Sequence, residues 1–172
     1  GFKPSLLGMP LSVHQLENSN FVYRLSLIMQ DVGFNPENLF LELNHHFSDS
    51  SFDVLEKSFN MLKYLGIKIG VRDFGSGSLS VRYLKKLTVS YVKIERVLAD
   101  DILCNERACL LVKSIIQFAA SLSIQVIAEG VQTEPEAKLL KEFGCFLMQG
   151  KLLSDPLTDD QVVEKMASQS SG

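Results

Sequence analysis

Chargeable or amide side chains stand where short apolar runs end: His14, Glu42, the pair Arg72-Asp73, Lys93 with Glu95, Glu129 and Gln149. Carboxylates, a lysine and a glutamine grouped in this way can hold a cation or pair with one another. Glu42 is the most telling, because it interrupts Leu39-Phe40-Leu41 and Leu43. A lone carboxylate on so apolar a segment is costly to bury, so a cationic side chain or a metal ion is expected beside it. Any one of these residues taken singly is an ordinary polar group where a strand meets solvent. Their recurrence at the same place in successive units is what asks for a common site.

The elements that must position them repeat. A short apolar run, a polar residue at its end, a loop and an amphipathic helix follow one another six times, with strands expected at residues 9–14, 38–43, 67–71, 90–94, 124–128 and 145–148. Phe52, Leu55, Phe59 and Leu62 recur at helical spacing and stop at Gly66, and Ala108, Leu111, Val112, Ile115, Ile116, Ala119 and Leu122 form a broader helical face. Thr133 with Glu136, and Thr158 with Gln161, have the spacing of capping boxes and predict helix starts near Glu134 and Asp159. Strand–helix alternation of this kind builds a parallel sheet with right-handed crossovers. No glycine-rich turn follows the first strand, where His14-Gln15-Leu16 stands, which argues against a dinucleotide-binding sheet. Polar groups at the carboxyl ends of all six strands fit a (β/α) barrel, which assembles its site from many strands at once. The expected fold is therefore α/β, an incomplete TIM-type barrel of about six parallel strands with alternating helices, spanning residues 1–172 as a single domain with residues 168–172 as a disordered tail.

Composition sets bounds. With 46% hydrophobic and 22% charged residues in 172, the chain has material for one real core. A net charge of -3 gives no basic field for DNA or an anionic membrane surface. No apolar run reaches the roughly 18 residues of a membrane span, and Gly1-Phe2-Lys3-Pro4 has no signal-peptide pattern, so a cytoplasmic location is expected. Cys104, Cys109 and Cys145 have no metal-ligand spacing and read as reduced, packed thiols. A zinc site using His45 and His46 is the competing reading, but adjacent histidines without a Cys-x-x-Cys pair supply it poorly. Tyr91, Phe118 and Phe143 fit core positions.

Asp73-Phe74-Gly75-Ser76-Gly77, Val92-Lys93-Ile94-Glu95-Arg96, Ala128-Glu129-Gly130-Val131-Gln132-Thr133 and Gln149-Gly150 with Pro156 occur in this order and at matching intervals, and together they resemble the signatures of the EAL-domain family. The resemblance runs from about Met9 to the last helix. It implies an eight-stranded barrel whose carboxyl face binds two Mg²⁺ or Mn²⁺ ions and opens one phosphodiester of cyclic di-GMP. Two hard cations held by carboxylates would polarise the phosphate and acidify an attacking water. By resemblance, Glu42, Asp73 and Glu129 stand at metal-ligand positions, Lys93, Glu129 and Gln149 at catalytic ones, and Asp73, Glu95 and Gln149 at ligand-contacting ones. Phe74-Gly75-Ser76-Gly77 stands where the family leads into a dimer-packing helix, although a lone GxG more often marks a tight turn.

Several positions depart from that pattern. The strand that bears the Glu-Ala-Leu signature is not in the chain, which is read as starting about two strand–helix units late. His14 stands where the family has a metal-binding asparagine, Arg72 replaces the first aspartate of an Asp-Asp pair, Glu95 replaces an aspartate, and His45 replaces a glutamate. Arg72 sets a permanent cation where a divalent ion belongs, and pairing with Glu42 or Glu129 is expected. These departures predict a vestigial site with no cofactor, Mg²⁺ or Mn²⁺ being required if activity remains, and a role in protein interaction or regulation. A receptor that binds cyclic di-GMP without hydrolysis, and a residual phosphodiesterase, are the alternatives. Six strands leave open edges, so a homodimer or a partner protein is expected to cover them.

Overall fold

The computed structural model describes residues 6–43, 52–72, 74, 89–96 and 101–169. Among these residues six strands form one sheet in sequence order: β1 (Leu7–Leu11), β2 (Leu39–Leu43), β3 (Lys68–Val71), β4 (Tyr91–Ile94), β5 (Gln125–Glu129) and β6 (Leu147–Gln149). Every neighbouring pair is parallel. The helices are α1 (Val13–Glu17), α2 (Phe21–Asp31), α3 (Phe52–Tyr64), α4 (Glu106–Ser121), α5 (Glu134–Glu142) and α6 (Asp159–Gln169). Asp73, Gly75, Ser76, Gly77, His45 and His46 lie outside the described residues, as do residues 170–172, while Ser168 and Gln169 belong to α6.

Alternation along each strand divides the core in two. Leu39, Leu41, Leu43, Ile69, Val71, Val92, Ile94, Val126 and Ala128 point towards the helices and join Leu55, Phe59, Leu62, Val112, Ile115, Ile116 and Ala119 in one large cluster. The intervening residues Phe40, Tyr91 and Ile127 form a second cluster on the opposite face. That face is concave. Phe40 on β2 and Tyr91 on β4 have ring centroids 5.3 Å apart, although two strand spacings of a flat sheet put them about 10 Å apart. The sheet curls as a barrel wall does. Among the described residues β1 and β6 are its edges, and Leu7 and Met9 on β1 are 43% and 45% exposed.

Local sequence sets the element ends. Leu55, Phe59 and Leu62 on α3 are buried, Leu55 and Leu62 fully enclosed, and the chain turns at Gly66 with φ +83° so that Ile67 N–H bonds back to Leu62. α4 ends by the same device at Ser123, which adopts φ 59° without being glycine. Leu111 and Leu122 were placed on the buried face of α4 and are instead 48% and 46% exposed, because the buried stripe runs through Val112, Ile115, Ile116 and Ala119. Both expected capping boxes form, at Thr133 with Glu136 and at Thr158 with Gln161. A third, Ser12 with Gln15, starts α1. The three cysteines are free thiols, Cys145 buried but Cys104 exposed rather than packed. Among the described residues no helix is long and apolar enough to cross a membrane.

Candidate functional site

The concave face carries two layers. The outer layer, at the carboxyl ends of the strands, holds Pro10, Glu42, Arg72, Lys93, Glu129 and Gln149, and the layer beneath holds Gly8, Phe40, Ile127 and Leu147, together lining a cavity of about 530 Å³. Four of the residues expected at the site from sequence, Glu42, Lys93, Glu129 and Gln149, thus meet. Register sets Glu129 beside Gln149, and the curl of the sheet brings Lys93 to both Glu42 and Gln149.

Lys93 is the hub. Its side chain is 8% exposed, and its ammonium donates to both carboxylate oxygens of Glu42 at 3.0 Å and to Gln149 Oε1 at 3.2 Å. Glu129 Oε2 stands 3.9 Å away, an ionic neighbour beyond hydrogen-bond reach. One lysine on β4 can touch β2 and β6 together only because the sheet curls around it.

Arg72 follows β3, its backbone N–H still donating to Leu43. Its Nε lies 3.7 Å from Glu42 Oε2 and, though buried, has no hydrogen-bond acceptor among the described residues. Of the two partners left open by the sequence, Glu42 is therefore the nearer through Nε. Glu42 faces two cations, and the described charges of the layer cancel: Glu42 and Glu129 against Lys93 and Arg72.

Two sequence expectations need correction. His14 is not at a strand end. Ser12 caps α1, β1 stops at Leu11, and the imidazole is 93% exposed beside Glu17, away from the cavity. The β1 position that faces Glu42 is Pro10, whose side chain has no donor or acceptor. Phe74 was placed at an interface, yet it is 8% exposed and its ring stacks on Phe118 at 6.5 Å. Its backbone N–H donates to Lys93 O, which holds the residue against β4 and directs the ring inward. Glu95 follows β4 and does not line the cavity.

Sequence reasoning missed Pro10, Gly8 and Phe40. The signal was present as period-two alternation: Phe40 stands two residues before Glu42, and Gly8 two before Pro10. Elsewhere, Cys145 is enclosed, its thiol donating towards Val126 O and Leu147 O at 3.4 Å, and burial pushes its pKa up to about 11.

Comparison with known proteins matches this architecture. The bifunctional diguanylate cyclase/cyclic di-GMP phosphodiesterase MucR of Pseudomonas aeruginosa is 28% identical over 94% of this chain and 24% of its own length. The chain thus spans about a quarter of that relative. The EAL domain of Mycobacterium smegmatis DcpA superposes with a TM-score of 0.88 at 28% identity, over 95% of this chain and 73% of that one. Klebsiella pneumoniae BlrP1, in a manganese and cyclic di-GMP complex, gives 0.80 at 28% identity, over 88% and 39%. The EAL domain family model matches residues 2–156. That match covers most of the sequence, and this chain belongs to the EAL domain family.

Proposed function

We propose that this chain is a catalytically silent EAL domain that acts as a protein-interaction or regulatory module in cyclic di-GMP signalling. The observation that carries the reading is the closed charge set around Glu42, with Lys93 at 3.0 Å from both carboxylate oxygens and Arg72 Nε at 3.7 Å. Mg²⁺ and Mn²⁺ need several carboxylate, carbonyl or water oxygens. Here both Glu42 oxygens are engaged, the Pro10 side chain offers no ligand atom, and no group of three or more His, Cys, Asp or Glu side chains suited to a metal occurs among the described residues. These residues do not fit a divalent pair. Lys93, Glu129 and Gln149 are accordingly read as a vestigial catalytic set, with Glu42, Asp73 and Glu129 as former metal positions. Asp73, Glu95 and Gln149 are read as the positions that would contact a ligand.

The partner is a second copy or another protein, received at the β1 and β6 edges, in keeping with the exposed Leu7 and Met9. The compartment is the cytoplasm, where cyclic di-GMP signalling operates. A second reading, a cyclic di-GMP receptor without hydrolysis, draws on Arg72, whose side chain is 34% exposed on the cavity and can offer charged donors to a phosphate.

Calorimetric titration with cyclic di-GMP, with and without Mg²⁺ or Mn²⁺, followed by chromatography for the linear dinucleotide, separates the readings. Neither heat nor product is expected for the interaction module. Metal-independent heat without product assigns the receptor role, and metal-dependent product overturns the silent-domain reading.

A further inference from the structure

We infer that Phe40 is a positioning residue that seals the Glu42–Lys93 pair from beneath and so keeps Glu42 committed to Lys93. This deepens the proposed function, resting on a site closed by the chain's own cations. Phe40 is 7% exposed, packs on Tyr91 at 5.3 Å with the rings inclined by 43°, and shares its cluster with Ile127, Leu6 and Leu147. It lies on the same face of β2 as Glu42, one layer below it.

The ring occupies a slot cut by two glycines. A Cβ added at Gly8 on β1 would collide with Phe40 Cε1 and lie 2.8 Å from its Cζ and 2.9 Å from Glu42 Oε1. The ring edge and the carboxylate therefore converge on the space left by one missing side chain. On β3, a Cβ at Gly70 would lie 3.1 Å from Phe40 Cε2 and 3.2 Å from Cδ2. Neither glycine is in the left-handed region, so room rather than backbone freedom is what these positions supply. Gly8 and Phe40 are register partners across β1 and β2. The ring thus extends sideways into the space left by both glycines and forms the floor of the cavity under the pair. Without it, water reaches Lys93 and Glu42 from below, the carboxylate gains a competing partner, and it can turn towards another cation.

The readout is the exchange of the Lys93 ammonium protons, followed by ¹⁵N NMR, with the signal assigned by its loss in Lys93→Met. Wild type is expected to show a protected ammonium. Phe40→Ala should accelerate its exchange at least tenfold, Phe40→Leu should restore most of the protection, and Gly8→Ala should accelerate it more than Gly70→Ala because its contacts are closer. The two glycine variants keep the test decisive if Phe40→Ala does not fold. Val112→Ala, which opens the other core cluster, should leave Lys93 exchange within twofold of wild type, and Cys145 should stay unreactive to a thiol reagent in every folded variant. An unprotected Lys93 in wild type overturns the inference. So does a folded Phe40→Ala with wild-type exchange, or equal acceleration by Val112→Ala. Metal-dependent hydrolysis by wild type with these exchange results intact would overturn the silent-domain reading alone.

Discussion

Replacing Glu42 by Gln and Lys93 by Met, singly and together, tests whether the site is one charge-coupled unit. At 3.0 Å and an effective dielectric of 20, the gross attraction of one oxygen–nitrogen contact is about 5.5 kcal/mol. Desolvation of both ions removes several kcal/mol of that, so the pair as a whole contributes little net stability. Removing one member is different, since it strands the other where side chains are only 8% and 11% exposed. Breaking a buried pair typically costs about 3–5 kcal/mol. The lower end, about 3 kcal/mol, is expected for each single variant: Lys93→Met leaves Glu42 with Arg72 at 3.7 Å, and Glu42→Gln leaves Lys93 with Glu129 at 3.9 Å. The double variant should cost about 1 kcal/mol, less than either single change, so that the two single losses of about 3 kcal/mol exceed it by a coupling of about 5 kcal/mol. In a domain of this size, 3 kcal/mol corresponds to a fall in Tm of about 6–12 °C. Urea unfolding at low and high salt is the assay, and burial predicts a coupling that survives 1 M NaCl. Single losses that simply add, to within about 0.5 kcal/mol, would refute the coupled site.

Four further outcomes follow from other parts of the fold. Arg72→Asp exchanges the cation near Glu42 for a carboxylate, so Mn²⁺ binding followed by electron paramagnetic resonance should tighten at least tenfold, and an unchanged affinity would sink the account of Arg72 as the stand-in cation. Ser123→Gly should stabilise by about 0.5–1 kcal/mol in denaturant unfolding, because the residue holds φ 59° at the end of α4, and a loss of stability would contradict that geometry. Thr133→Ala should cost about 1 kcal/mol by removing the cap that accepts from Glu136 N–H, whereas no change would mean that water replaces it freely. The thiol of Cys145 stays protonated in the fold up to about pH 11, while in the unfolded chain it ionises near 9; its contribution is complete below pH 9 and is lost as pH rises to 11, by about 1.4 kcal/mol per pH unit. Cys145→Ala should flatten that slope, and an identical slope would exclude the thiol as its source.

The sequence by itself determined the strand–helix order, because two-residue and helical periodicities are local properties of the chain. It also placed Glu42, Lys93, Glu129 and Gln149 at strand ends, where polar residues interrupt apolar runs. His14 was misplaced although Ser12 and Gln15 carried the capping signal that ends β1, so that error lay in reading local chemistry. The tertiary structure decided what alternation along one strand cannot encode: that Arg72 Nε faces Glu42, that Lys93 reaches both β2 and β6, and that Phe40 fits between Gly8 and Gly70. Those relations join residues on different strands at distances fixed by the curl of the sheet. Curvature is set by the packing of all six strands on their helices, and no single segment of sequence contains it.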